Sequence, residues 1–93
     1  MAYRVELTLA ALRDLRKLPR EILMRIDARI LALAENPRPP GARKLEGEDD
    51  LSLRSRQALY RLRVGDYRIL YSVDDKTSTV LVARVGHRQD IYR

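Results

Sequence analysis

The chain is 93 residues long, with 19 Lys and Arg against 13 Asp and Glu, a net charge of +6 and no cysteine. That length admits one domain with one core and a shallow surface groove rather than a deep internal pocket. The composition excludes a disulfide framework and a thiolate metal site, and the sequence offers neither a bilayer-spanning apolar run nor a signal peptide.

Absence of cysteine fits a reducing cytoplasm. The basic excess is mostly arginine, whose planar fork binds phosphate through paired hydrogen bonds. Nucleic acid or an acidic protein surface is therefore the expected partner, and no membrane.

In YRVELT (3–8), Tyr3, Val5 and Leu7 alternate with Arg4, Glu6 and Thr8. Period two predicts a half-buried strand, and Thr8 suits a helix N-cap. Leu9, Leu12, Leu15 and Leu18 recur every three residues among Arg13, Asp14, Arg16 and Lys17, which predicts an amphipathic helix. It ends near Pro19, because proline disfavours helix at the residue before it. Pro19 itself suits the first turn of a second helix. Ile22, Ile26, Ile30 and Leu33 mark that helix, with Leu23 and Ala34 widening the stripe. The pattern stops at ENPRPPG (35–41).

Residues 36–50 read as a long solvated loop with Leu45 its only large apolar residue. Loops of this length are uncommon in compact domains. LSLRSRQ (51–57) reads as an extended lead-in or a short strand. LYRLRV (59–64), YRILYSV (67–73) and TVLVARV (79–85) are strands. Gly65-Asp66 is a tight hairpin link, since such a turn needs positive φ, and DDKTS (74–78) is a second turn. The expected fold is α+β, a single domain over 1–93: an N-terminal strand and a two-helix hairpin packed on a mostly antiparallel four-stranded sheet.

A two-residue hairpin fixes register. Val64 should face Tyr67, Arg63 face Arg68, Leu62 face Ile69 and Arg61 face Leu70. Alternation then puts Tyr60, Leu62, Val64, Tyr67, Ile69, Tyr71 and Val73 on the helix side, and Arg61, Arg63 and Arg68 on the other. If Val73 pairs with Thr79, Arg84 comes opposite Arg68 on the arginine face. Like charges directly opposite cost stability, so this face suits a bound phosphate. Read plainly, it is a solvated surface.

The chain continues as VGHRQDIYR (85–93), carrying its one histidine, His87, beside Arg88, with Tyr92 following. Metal-free RNA cleavage needs a base for the 2′-OH proton, cations for the phosphate charge and an acid for the leaving oxygen. Arginine supplies the second role. Histidine titrates near neutrality, and tyrosine becomes a base when adjacent cations lower its pKa. The plain alternatives are a strand-end histidine and an aromatic that pins the tail. One His, no Cys and no His–carboxylate pair at ligand spacing give no metal site, and no cofactor is expected.

KLEG (44–47), LYRLRVGDYRILYSVDD (59–75) and VGHRQDIYR (85–93), together with the opening MAYRVELTLAALRDLRKLP, resemble the RelE branch of the RelE/ParE toxin superfamily over nearly the whole chain. The resemblance implies a RelE-like fold and a ribosome-dependent endoribonuclease (an mRNA interferase) that cuts mRNA in the A site by metal-independent 2′-OH attack. It also implies a cognate RelB-like antitoxin, with operator DNA bound only through the complex. By resemblance Arg61 is the basic residue on the second strand of the sheet, Arg68 contacts phosphate, Arg88 stabilises the transition state, Tyr92 acts as base or stacks on the substrate base, and His87 is a further candidate to move the proton. Leu59 stands where studied forms carry a further lysine, with Arg63 and Arg56 as neighbouring cations. The ParE branch, which inhibits DNA gyrase without nuclease activity, and a catalytically weak partner in a repressor complex are the alternatives.

Overall fold

The structure, a computed structural model, describes residues 2–45 and 59–90. Arg56, Tyr92, the acidic cluster at 46–50 and the 51–57 segment lie outside them. In chain order the elements are β1 (Arg4–Leu7), α1 (Leu9–Arg16), α2 (Arg20–Glu35), β2 (Ala42–Leu45), β3 (Leu59–Val64), β4 (Tyr67–Asp74) and β5 (Thr79–His87). The sheet order is β1-β5-β4-β3-β2, with β1 parallel to β5 and the other neighbours antiparallel. The class is α+β as expected, but the sheet has five strands rather than four.

The added strand, β2, lies inside the stretch read as a loop. Its entrance is a turn in which the Ala42 N–H donates to the Pro39 carbonyl at 3.0 Å and Gly41 adopts φ +94°. Proline followed by a positive-φ glycine at the two central positions is the type II signature. Residues 42–45 then pair with β3, Ala42 opposite Leu62 and Leu45 opposite Leu59.

The β3–β4 hairpin has the register its two-residue link dictates, Val64 opposite Tyr67 through Arg61 opposite Leu70. Gly65 has φ +60°, and Asp66 is not among the positive-φ residues. Positive φ at the first central position alone is a type II′ turn, whose twist matches the strands. The predicted inward set holds: Leu62, Val64, Ile69, Tyr71 and Val73 are in the core, with Tyr60 and Tyr67 packed against it.

The β4–β5 register departs from expectation twice. Asp74 stays in the strand, its side chain accepting the Lys76 N–H at 3.0 Å, so Asp74 rather than Val73 faces Thr79. A register shift between Leu70 and Tyr71 then skips Ala83 on β5. An extra unpaired residue of this kind is a bulge, which re-aims the side chains beyond it. Arg68 consequently faces Gly86, and Arg84 faces Leu70.

On α2 the stripe is as predicted, with Ile26, Ile30 and Leu33 buried. Pro19 is its N-cap rather than part of the first turn, and its carbonyl accepts the Leu23 N–H at 2.8 Å. On α1 the leucine series does not form one face. Leu9 and Leu12 are 63% and 42% exposed, while Ala11 is buried and Leu15 and Leu18 pack against the core. Three residues turn a helix through about 300°, so a period of three drifts by about 60° per step and carries Leu18 to the side opposite Leu9. The working stripe is Ala11, Leu15, Leu18.

That stripe sets α1 beside β5 rather than over the sheet. β1 covers β5 only as far as Val82. Beyond it, the Thr8 N–H donates to the Val82 carbonyl at 3.0 Å and the Thr8 hydroxyl donates to the Ala83 carbonyl at 2.7 Å. The same hydroxyl oxygen caps α1, accepting the Ala11 N–H at 3.0 Å. One turn and a half on, Asp14 accepts the Val85 N–H at 2.9 Å and pairs with Arg84 at 2.7 and 3.2 Å. Asp14→Ala should cost about 2–3 kcal/mol, because it leaves the buried Val85 amide without its charged acceptor. Arg84→Ala should cost under about 1 kcal/mol, its guanidinium being half-exposed. Urea denaturation of both variants measures the difference.

Candidate functional site

Alternation on the hairpin gives the sheet two chemically different sides. Opposite the core, β3 presents Leu59, Arg61 and Arg63, and β4 presents Arg68, Leu70 and Ser72. Pairing extends the row outward: Arg43 on β2 faces Arg61. Arg43 and Arg63 are exposed, Arg61 is half-buried, and Arg68 is only 8% exposed. Two arginine pairs, Arg43–Arg61 and Arg63–Arg68, thus sit directly opposite one another on neighbouring strands. Strands in a sheet run about 4.8 Å apart, so the cations are held close, and an anion bound between them relieves their repulsion.

Arg43 is a member that the sequence pattern does not reveal, because its strand is only four residues long and lies in a stretch that reads as loop. The signal was the Pro-Gly turn at 39–42 followed by ARKL. Arg84, by contrast, does not join the row. The bulge at Ala83 and the carboxylate of Asp14 draw its guanidinium to α1. Nor is the middle of this side bare: Leu59, Leu70, Ser72 and Ala83 are buried there. Ser72 Oγ is buried with no hydrogen-bond partner among the described residues.

Arg68 is held by the hairpin itself. Its Nη1 donates to the carbonyls of Gly65 at 3.0 Å and Tyr67 at 2.9 Å. The carbonyl between them, of Asp66, accepts the Arg88 N–H at 2.8 Å. This bond lies one step past the last β4–β5 pair, Tyr67 opposite His87, where the chain leaves the strand for a turn closed by the Asp90 N–H on the His87 carbonyl at 2.8 Å. His87 is on the core side. It lies opposite Tyr67, ring edge to ring face at 5.5 Å, and its Nδ1 accepts the Gln89 N–H at 3.2 Å. The two rings line a cleft of about 360 Å³ at the end of α1, with Asp14, Lys17, Arg84 and Asp90 around it. The sheet therefore separates His87 from Arg61, Arg63 and Arg68, although His87 and Arg88 are sequence neighbours.

At the far end of the core side, β3, β4, the 36–41 segment, the turn after β4 and the residue before β1 meet on a tyrosine cluster. Tyr71, fully buried, donates to the Pro37 carbonyl at 2.8 Å and stacks on Tyr60 at 5.6 Å. Arg38 donates to the Tyr60 hydroxyl at 2.9 Å and to both oxygens of Asp75 at 3.2 and 2.8 Å. Tyr3 donates to the same carboxylate at 2.7 Å. Burial pushes the Tyr71 hydroxyl up to about 12, with Tyr60 adding to the effect and Arg38 opposing it. Hydrogen bonds from Arg38 and Tyr3 hold the Asp75 carboxyl below its usual range, and the same bond raises Tyr3. The cluster anchors residues 36–41 and so aims the chain into β2.

Residues 5–92 match the family described as the ParE toxin of type II toxin-antitoxin system, parDE. The chain is 38% identical over 97 residues to toxin RelG of Mycobacterium tuberculosis, covering all of this chain and 99% of the relative. The toxin–antitoxin complex RelBE2 of the same organism contains a chain that superposes with a TM-score of 0.76 at 35% identity, covering 97% of this chain and 95% of that one. An archaeal RelE–RelB complex from Pyrococcus horikoshii gives a TM-score of 0.78 at 31% identity, covering 97% and 99%.

The tyrosine cluster gives a signature in alkali. Tyr71 stays neutral in the folded protein up to about pH 12, whereas in the unfolded chain it ionises near pH 10. Its contribution to stability is complete below pH 10 and is lost as pH rises toward 12. Tyr71→Phe should cost about 1 kcal/mol at pH 7, leaving the Pro37 carbonyl without its donor. It should also flatten the fall in stability between pH 10 and 12, as followed by denaturant titration at each pH.

Proposed function

Because the chain belongs to the ParE toxin family of type II toxin–antitoxin systems, we propose that it acts as a RelE-type toxin that cleaves mRNA in the ribosomal A site. The observation that supports this is the one-sided row of arginines on β2, β3 and β4, with the exposed Arg88 tied by its backbone to the β3–β4 turn beside it. In the reaction a 2′-oxygen bonds to the adjacent phosphorus and the bond from phosphorus to the 5′-oxygen breaks, leaving a cyclic phosphate and a 5′-hydroxyl. Negative charge grows on the phosphoryl oxygens. Preorganised cations stabilise that charge more than they stabilise the ground state. Arg88, exposed at the end of the ladder, is assigned to the phosphoryl group, and Arg43, Arg61 and Arg63 to the flanking backbone.

The proton acceptor in this reading is Tyr92 as its phenolate, the form that adjacent positive charge favours, and solvent water protonates the leaving 5′-oxygen. His87 takes no proton-transfer step, because it faces Tyr67 across the sheet from the cations. The partner is a RelB-like antitoxin that lays acidic side chains over the arginine surface, a reading supported by the RelE–RelB complexes among the structural relatives. Operator DNA is met only through that complex.

Cleavage of a reporter mRNA in a purified translation system, mapped by primer extension, tests the reading. Wild type should cut within codons only when ribosomes are present. Arg88→Ala should lose about 10²-fold or more in rate, the loss typical of one transition-state donor, and Tyr92→Phe should lose cleavage if its hydroxyl takes the proton. Wild type that leaves the message intact overturns the nuclease and brings gyrase inhibition forward, read by supercoiling of plasmid DNA.

A further inference from the structure

A scissile phosphate at Arg88 divides an RNA strand into two arms, and the row on β2, β3 and β4 receives one of them. The other arm has to pass the end of the sheet, where the β3–β4 turn and the last residues of β5 lie. Two cations from the helix layer stand there. Arg25 leaves the exposed side of α2 and brings its guanidinium to Gly65: a Cβ on that glycine would lie 3.5 Å from Nη2 and 3.9 Å from Nη1. Lys17, at the end of α1, borders the cleft together with Tyr67, Gly86 and His87. Both cations are exposed, and neither side chain has an ion pair or a hydrogen bond among the described residues. Arg25 has Glu21 one turn before it, in the order that favours an ion pair on a helix, yet its guanidinium lies at the turn instead.

We propose that Arg25 and Lys17 carry the RNA-binding surface round the end of the sheet: the substrate strand runs from the row past Arg88, over the β3–β4 turn and on to the helix layer, where its phosphates meet Arg25 and then Lys17. The turn joins the two surfaces. Its Asp66 carbonyl holds the Arg88 N–H, and Gly65, one residue earlier, lies under the Arg25 guanidinium. Gly65 has no side chain to keep that guanidinium or a strand away from the turn. Asp66 and Asp90 are exposed at the same end, and they disfavour a phosphate close to themselves, which confines a polyanion to the line of the cations. Cations this far along the strand bind ground state and transition state alike, so they add affinity and leave the chemical step as it is. The proposal rests on the nuclease reading for the identity of the strand, while contact with RNA is read without cleavage.

Binding of a short 2′-O-methyl RNA oligonucleotide, which has no 2′-hydroxyl to attack, is measured by fluorescence anisotropy over a range of salt. Arg25→Gln should weaken binding and lower the slope of log K against log salt by about 0.7, the value for one single-strand phosphate, and adding Lys17→Gln should lower it by about as much again. Arg4→Gln, a charge-matched change on β1 at the far edge of the sheet, should leave the slope as in wild type. In the translation system Arg25→Gln should raise KM and keep kcat within about twofold. Wild type that does not bind the oligonucleotide at low salt, a slope unchanged by Arg25→Gln, or an equal fall with Arg4→Gln overturns the proposal. A loss of affinity seen only with ribosomes also overturns it and gives the two cations to ribosomal RNA, and a loss seen only with the antitoxin gives them to that protein. Wild type that binds the oligonucleotide but leaves the message intact on ribosomes overturns the nuclease reading alone.

Discussion

Among the described residues, half of β5 has no strand on its outer side, and the molecule is organised around how that edge is closed. Unpaired strand groups are costly when buried and a hazard when exposed. Here the N-terminus of α1 takes the place of a strand. Thr8 supplies a backbone and a side-chain donor to successive carbonyls, and Asp14 supplies the acceptor for Val85. A helix can lie that close only with a small residue inward, and Ala11, fully buried, fills the position. α1 is thus an edge cover, and α2 alone lays its stripe across the sheet.

Closing the edge with a carboxylate also sorts the arginines. Arg84 goes to Asp14 and Arg38 to Asp75, both away from the arginine row. Arg68 spreads its charge over turn carbonyls. What remains exposed on the row is Arg43 and Arg63, with Arg88 beyond the strand. Three of the cations left without a carboxylate partner in these pairings, Arg43, Arg63 and Arg88, thus stand on or next to the side of the sheet opposite α2. A basic surface of that shape speeds encounter with polyanions and with acidic partners alike.

What the sequence disclosed was whatever a short-range rule determines. Alternation and a two-residue Gly-Asp link were enough for β3, β4, their register and the sidedness of Arg61, Arg63 and Arg68, since the turn leaves no freedom in the pairing. The isoleucine spacing of α2 was equally direct. The misses share a different cause. The bulge at Ala83 carries no glycine or other local mark, yet it moved Arg84 off the row. β2 is four residues on the sheet's rim, too short to alternate visibly, so Arg43 went unseen. The leucines of α1 recur, but at a period that a helix does not keep on one face. His87, the last residue of β5, packs against Tyr67 on the core side, a placement that proximity to Arg88 in sequence does not reveal.

The order in which the strands are assembled differs from the order in which they are made. β5 follows every other element in the chain, yet it stands between β1 and β4. Until it is present, residues 4–7 have no neighbour to pair with and the stripe of α2 has only part of a surface to cover. The pairing that completes the sheet joins residues 4–7 to residues 79–82, a loop closure spanning most of the chain. Contacts of such long sequence separation slow folding, because the entropy of bringing distant segments together is lost before their packing is gained. A chain of this topology consequently folds late: β1 and the stripe of α2 find their full surface only once β5 has paired.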